Sequence, residues 1–346
     1  MKLIAEDCIK VREKLYLFCR DYNLFYSINL YTRIIELEGS IPNQQFQQEQ
    51  LCRKMVFYKD EIYFIPYNME CAVYIYNLIN KTWRKIDLVT DETMHNGWLF
   101  LQAVLVEDIM FLFGGKYPKI VRIDLINEDV EYISISGEKI TNDDVLFRGS
   151  YIRRGDFLWL PSAISNSIFE FDVKTLAYNW IEVGNESDRY AGILYDGNLF
   201  WLAPRKKGDI LCWDGKDSIK RFSLPNEYGE EPVYFTGIFR DGENFIFPAL
   251  HLDLSLVIDS NTYEMKIEAK SYSFVKNEYD ILYKFDMDSN LYVKDLMEVH
   301  CVIPDTQLSK YIFESDVKCK LVNKRCFENE KMPLSIFLKA INDGDK

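Results

Sequence analysis

The sequence predicts an all-β fold, a seven-bladed β-propeller of four-stranded blades, on three observations. First, an apolar strand closes on Asn or Asp at Asn29, Asn77, Asp124, Asp172, Asp214, Asp259 and Asp305, with spacings of 48, 47, 48, 42, 45 and 46 residues. Strand repeats with a period of roughly 40 to 50 residues read as propeller blades. Second, a stop at Pro66, Gly114, Pro161, Pro204 or Pro248 precedes the closing residue by 11, 10, 11, 10 and 11 residues. Third, 48% of the residues are hydrophobic and 15% aromatic, and they fall in the short runs that half-buried strands require.

Each repeat reads as four strands, A to D. Turns such as Lys59-Asp60-Glu61, Gly155-Asp156 and Asp241-Gly242-Glu243 hold residues that tolerate positive φ, and they join A to B as hairpins. Strand B is apolar on both faces, as in Ile62-Tyr63-Phe64-Ile65 and Leu199-Phe200-Trp201-Leu202, so it belongs in the middle of a blade. Proline cannot donate to a ladder and glycine permits a sharp exit, which explains the stops. Strand C runs to the closing Asn or Asp. Strand D alternates polar and apolar residues, as in Trp83-Arg84-Lys85-Ile86, and has one solvated face. The repeats place the propeller over residues 1–319. Residues 320–346 read as a tail with a short helix, because Pro333 suits a first helical turn and apolar residues follow at helical spacing.

The formal net charge of −13 argues against nucleic acid or an anionic membrane as partner, since both would be repelled at long range. Glu6 and Asp7 stand where a secretory signal needs an apolar core, so the expected location is the cytoplasm and the expected state a monomer. Eight scattered cysteines without a Cys-x-x-Cys pair read as buried hydrophobes. Three histidines supply a metal site poorly. No nucleophile elbow, phosphate loop or dinucleotide fingerprint occurs, and no cofactor is expected.

The repeat resembles the kelch family, whose units carry an apolar strand ending in Gly-Gly and a Trp opening a later strand. Ile109 to Ile133, with Gly114-Gly115, carries the match, and Trp83 and Trp180 stand where the repeat Trp belongs. The resemblance covers about nine tenths of the chain, with Pro in place of Gly-Gly in four repeats. It implies an interaction scaffold, as most such propellers are; a minority act on sugars or are copper oxidases.

Binding is expected on the loops that join B to C and D to A. Arg148, Arg189 and Tyr190 enter A strands, and with Trp98 and Tyr234 they form a candidate set in the central channel for a carboxylate or sugar, held by bidentate bonds and stacking, which makes a sugar epimerase or lyase the alternative function. The competing reading pairs the arginines with nearby Asp and Glu. Candidate contacts for a protein partner are His95, Lys116, Arg205, Lys206 and His251; Arg205 and Lys206 read as a solvated basic loop, as does the Gln44–Gln48 run.

Overall fold

The computed structural model describes residues 2–19, 23–29, 35–44, 51–88, 99–137, 145–147, 150–205, 208–217, 219–225, 235, 237–248, 254–269, 283–285, 291–293 and 297–300. The helical tail expected over 320–346 and the last closing residue, Asp305, lie outside them. Among the described residues no helix is long and apolar enough to cross a membrane.

The chain divides into two units, and the first comprises Met1–Leu88, Tyr272–Leu282 and Leu296–Lys346. Its first sheet holds β1 (Lys2–Val11), β2 (Lys14–Cys19), β3 (Phe25–Asn29) and β4 (Ile35–Gly39); the second holds β5 (Cys52–Tyr58), β6 (Glu61–Pro66), β7 (Ala72–Asn77) and β8 (Trp83–Asp87). The second unit, Val89–Ser271 with Tyr283–Asp295, contains four more such sheets. They are β9 (Phe100–Val106), β10 (Ile109–Gly114), β11 (Lys119–Asp124) and β12 (Val130–Ser134); then β13 (Ile152–Arg154), β14 (Phe157–Pro161), β15 (Ser167–Asp172) and β16 (Tyr178–Glu182). The fifth is β17 (Tyr190–Tyr195), β18 (Phe200–Pro204), β19 (Ile210–Trp213) and β20 (Ile219–Phe222); the sixth is β21 (Phe239–Asp241), β22 (Asn244–Pro248), β23 (Leu254–Asp259) and β24 (Met265–Ala269).

All six are antiparallel meanders in the order A-B-C-D. The B strands end at Pro66, Gly114, Pro161, Pro204 and Pro248, the five stops read from the sequence. A two-stranded sheet follows, β25 (Tyr283–Phe285) and β26 (Leu291–Val293), while β27 (Met297–His300) pairs with β1 as a fifth strand of the first sheet.

The closing residues hold their turns by one device. Oδ1 of Asn77 accepts the N–H groups of Ile79 and Asn80 at 3.0 and 3.1 Å. Asp124, Asp172 and Asp259 repeat this on the second and third residues that follow, at 2.8 to 3.2 Å, and Asp214 accepts Lys216 N–H at 2.9 Å. These bonds to backbone N–H groups hold the Asp124, Asp172 and Asp259 carboxyls below their ordinary range. The fourth residue on is left-handed in each of four turns, at Lys81, Glu128, Leu176 and Tyr263 (φ 60° to 62°). The residue after the closing one donates back to the A–B hairpin of its own sheet, as in Leu78 to Asp60 O (2.8 Å) and Val173 to Asp156 O (2.9 Å).

The hairpins share a second left-handed position, filled by Arg12, Lys59, Glu107, Gly155 and Gly242 (φ 54° to 60°). Only two repeats use the residue that meets no penalty there. Glu107→Gly is therefore expected to stabilise the fold by about 0.5 kcal/mol and Gly155→Ala to destabilise it; urea midpoints moving the other way would refute this.

Aromatic side chains pack sheet on sheet within each unit. In the first, Phe25 of β3 meets Phe64 of β6 edge-on at 4.9 Å, and Trp83 lies 6.1 Å from Phe25. In the second, Trp180 stacks on Phe147 at 6.0 Å and donates Nε1–H to Ser136 O of the preceding sheet at 2.7 Å. The repeat Trp thus joins neighbouring blades, and each faces a glycine: a Cβ on Gly39 would lie 3.7 Å from the Trp83 indole, and one on Gly137 3.0 Å from that of Trp180. Such aromatic pairs contribute roughly 0.5 to 1.5 kcal/mol beyond their burial.

Candidate functional site

A recurrent position lies in or just before the A strands, five residues before the left-handed hairpin residue, occupied by Asp7, Lys54, Gln102, Ser150 and Gly237. Side chains there tie one A strand to the next. In the first unit the buried Asp7 accepts Met55 N–H at 2.6 Å and lies 3.6 Å from Lys54 Nζ. In the second, Ser150 Oγ bonds both N–H and C=O of Ile193 at 3.2 Å. Gly192 bridges to Ser150, and a Cβ on it would sit 2.7 Å from both Gly237 Cα and Ser150 Oγ. Backbone and small groups fill the space where β13, β17 and β21 converge.

Four of the sequence's candidates fall on described residues. Arg189, in the D–A loop before β17, turns onto its own loop: Nη1 donates to Glu186 O and Asp188 O, both at 2.6 Å. Tyr190 is buried and donates its hydroxyl to Val183 O; burial, with the Asp188 charge behind it, pushes that hydroxyl's pKa up. Asp188 accepts Asn185 N–H at 2.6 Å and Arg221 Nη2–H at 2.8 Å. The bonds of Arg189 thus go to backbone carbonyls rather than to the Asp and Glu carboxylates of the competing reading. Lys116 is half-exposed between β10 and β11.

Arg205 departs from expectation. The sequence placed it in a solvated loop, but it is 6% exposed. Its N–H donates to Arg189 O at 2.7 Å, which fastens the exit of β18 to the entry of β17 and carries the side chain inside. Gln44 departs as well: its amide donates to the Tyr74 hydroxyl at 2.9 Å, and that hydroxyl donates to Glu70 at 2.7 Å. Burial first, then the bond to Glu70, pushes the Tyr74 hydroxyl up to about 12. Trp98, Arg148, Tyr234, His95, Lys206 and His251 lie outside the described residues.

Two features at the opposite ends of the sheets were not singled out from the sequence. Among the described residues the exposed large hydrophobics are Ile79, Ile126, Phe157 and Tyr263, each at the A–B/C–D turn end of its own sheet. A signal was present: Ile79 and Ile126 stand second after Asn77 and Asp124, each between a leucine and a run of polar turn residues. At the same end, Arg153, Arg154 and Arg240 flank the glycine hairpins of the fourth and sixth sheets.

No protein-family model matches the chain, and no curated protein matches it. Solved structures do. Virginiamycin B lyase from Staphylococcus aureus aligns at 11% identity and a TM-score of 0.62, over 86% of this chain and 97% of that one. A streptogramin B lyase structure aligns at 11% identity and a TM-score of 0.61, over 86% and 91%. The fold is a β-propeller. At such identity the likeness carries the fold alone, and the propeller's function has to be argued from its own surface.

Proposed function

We propose that the chain is a non-catalytic, kelch-like propeller of seven blades that works as a monomeric cytoplasmic scaffold for a protein partner. Gly114-Gly115, Trp83 and Trp180 support the kelch-like reading, and the two-stranded β25–β26 sheet supports a seventh blade. The observation that carries the scaffold reading is where apolar side chains meet water. Ile79 is 74% exposed and Ile126 61%, in turns whose hydrogen bonds come from the closing residue and would accept a polar side chain equally well. Exposed apolar groups in a rigid frame suit a protein interface. The candidate ligand set gains no such support: Arg189 and Tyr190 are already bonded to their own loop.

A photo-reactive residue at Ile126, compared with one at Lys116, tests this in intact cells. Cross-links to one partner from position 126 are expected; cross-links only from 116 would move the partner to the loop end. The names of the similar solved structures supply the rival reading, a lyase. Streptogramin B incubated with the protein should emerge unchanged by chromatography, and conversion would overturn the non-catalytic assignment.

A further inference from the structure

Three arginines in the second unit stand out against the acidity of the chain. Arg153 precedes the hairpin glycine of the fourth sheet by two residues and donates Nε–H to Gly155 O at 3.0 Å; Arg240 does the same to Gly242 O of the sixth, also at 3.0 Å. The left-handed glycine offers its carbonyl to Nε, and the Arg240 guanidinium also lies 6.0 Å from the Phe245 ring of its own sheet. Arg154 projects toward the sheet between, its guanidinium 4.0 Å above the Tyr195 ring and 5.2 Å from that of Phe200. All three are exposed; Arg154 Nη2 donates to the Tyr195 hydroxyl at 3.4 Å, and none of the three has a carboxylate partner among the side chains described.

The acids around them are engaged elsewhere. Asp156 pairs with Lys174 at 2.8 Å. Asp196 accepts Asn198 and Leu199 N–H and the Trp201 indole N–H at 2.7 to 2.8 Å. Glu243 accepts the Asn261 amide, and Asp172 and Asp259 cap their own turns. In a chain with 54 acidic against 41 basic residues, this end of the fourth to sixth sheets carries exposed guanidinium groups with no carboxylate partner among the side chains described.

We propose that Arg153, Arg154 and Arg240 receive an acidic peptide segment of the partner, with the exposed Phe157 as its apolar neighbour. Guanidinium forks fit carboxylates bidentately, and a tethered Nε removes part of the ordering cost. A peptide is favoured over nucleic acid or an anionic bilayer because the net charge of −13 repels extended polyanions while a short segment meets only the local field. The assignment rests on the scaffold reading and names its partner's chemistry.

The test is fluorescence anisotropy with a labelled glutamate-rich peptide bearing one leucine, against its glutamine counterpart, a single-stranded DNA oligonucleotide and phosphatidylserine vesicles. Binding of the glutamate peptide, weakened by salt, is expected. Arg153→Gln/Arg154→Gln/Arg240→Gln should weaken it by about tenfold, Arg153→Lys/Arg240→Lys should fall between, and Arg84→Gln, whose arginine is paired with Glu61, should bind as wild type. Circular dichroism confirms that the variants fold. No binding at low salt, equal binding by the triple variant, or an arginine-dependent preference for DNA or vesicles overturns the proposal. A partner cross-linked at position 126 but retained by the triple variant would sink this inference and leave the scaffold standing. Peptide binding with no cross-linked partner would do the reverse.

Discussion

Gly114→Ala is expected to destabilise the protein by about 3 kcal/mol or more, read as a fall in the urea midpoint or as loss of soluble protein. A Cβ at that position would lie 1.9 Å from the Tyr117 carbonyl oxygen and 3.1 Å from Tyr117 Cβ. The obstacle is backbone, so no rotamer change relieves it. Tyr117 is itself buried, with its ring 5.7 Å from Phe100, and moving it aside would open the core beside β9. The contrast lies with Pro66, Pro161 and Pro204, which end the same strand in other sheets and already carry a Cβ; their replacement by alanine should cost under about 1 kcal/mol. Gly192→Ala, 2.7 Å from Gly237 Cα, is the second site of this kind. Wild-type-like melting of Gly114→Ala would mean that the loop after β10 runs differently.

The strand order and the turn chemistry were legible because they are local. A closing Asp caps the N–H groups two and three residues on, and a terminal Pro leaves the ladder where it stands. Both acts involve residues within a few positions of each other, and repetition multiplied the signal. Arg205 was misread because its burial comes from a long-range hydrogen bond to Arg189 O, and nothing in Arg-Lys-Lys-Gly reveals which of the cations is pulled inward. The arginine forks were missed for a related reason. Arg153 and Arg240 lie 87 residues apart in sequence and acquire meaning only once both are seen on the same hairpin position with the acids near them engaged.

Glu38→Ala is expected to cost about 2 kcal/mol at pH 7, the second large effect. The Glu38 side chain is 5% exposed and joins the first two sheets: it accepts from Ser27 Oγ at 2.7 Å, from the Tyr76 hydroxyl at 3.2 Å and from Lys81 Nζ, with Lys14 Nζ at 3.7 Å. Burial pushes its carboxyl up, but the bonds from Lys81 and Ser27 outweigh it and hold the group below its ordinary range. Burial also pushes the Tyr76 hydroxyl up, with the Glu38 charge adding to it. A carboxyl whose pKa is depressed on folding stabilises the native state above its unfolded pKa and loses that contribution as pH falls through the folded value. The gap between wild type and Glu38→Ala should therefore be full at pH 7 and shrink below about pH 4. A gap independent of pH would assign the loss to packing alone. Lys81 is half-exposed, which keeps the figure below that of a fully buried pair.

The closing turns bear on how a partner would be detected. Ile79, Asn80, Ile126 and Asn127 stand at the solvent edge, yet their amide hydrogens are held by Asn77 and Asp124. In deuterium these exposed turns should exchange slowly even in the free protein. A segment bound at either turn would add little further protection there, so an isotope-exchange footprint would pass over the contact. Side-chain probes, such as methyl labels on Ile79 and Ile126, would register the contact directly.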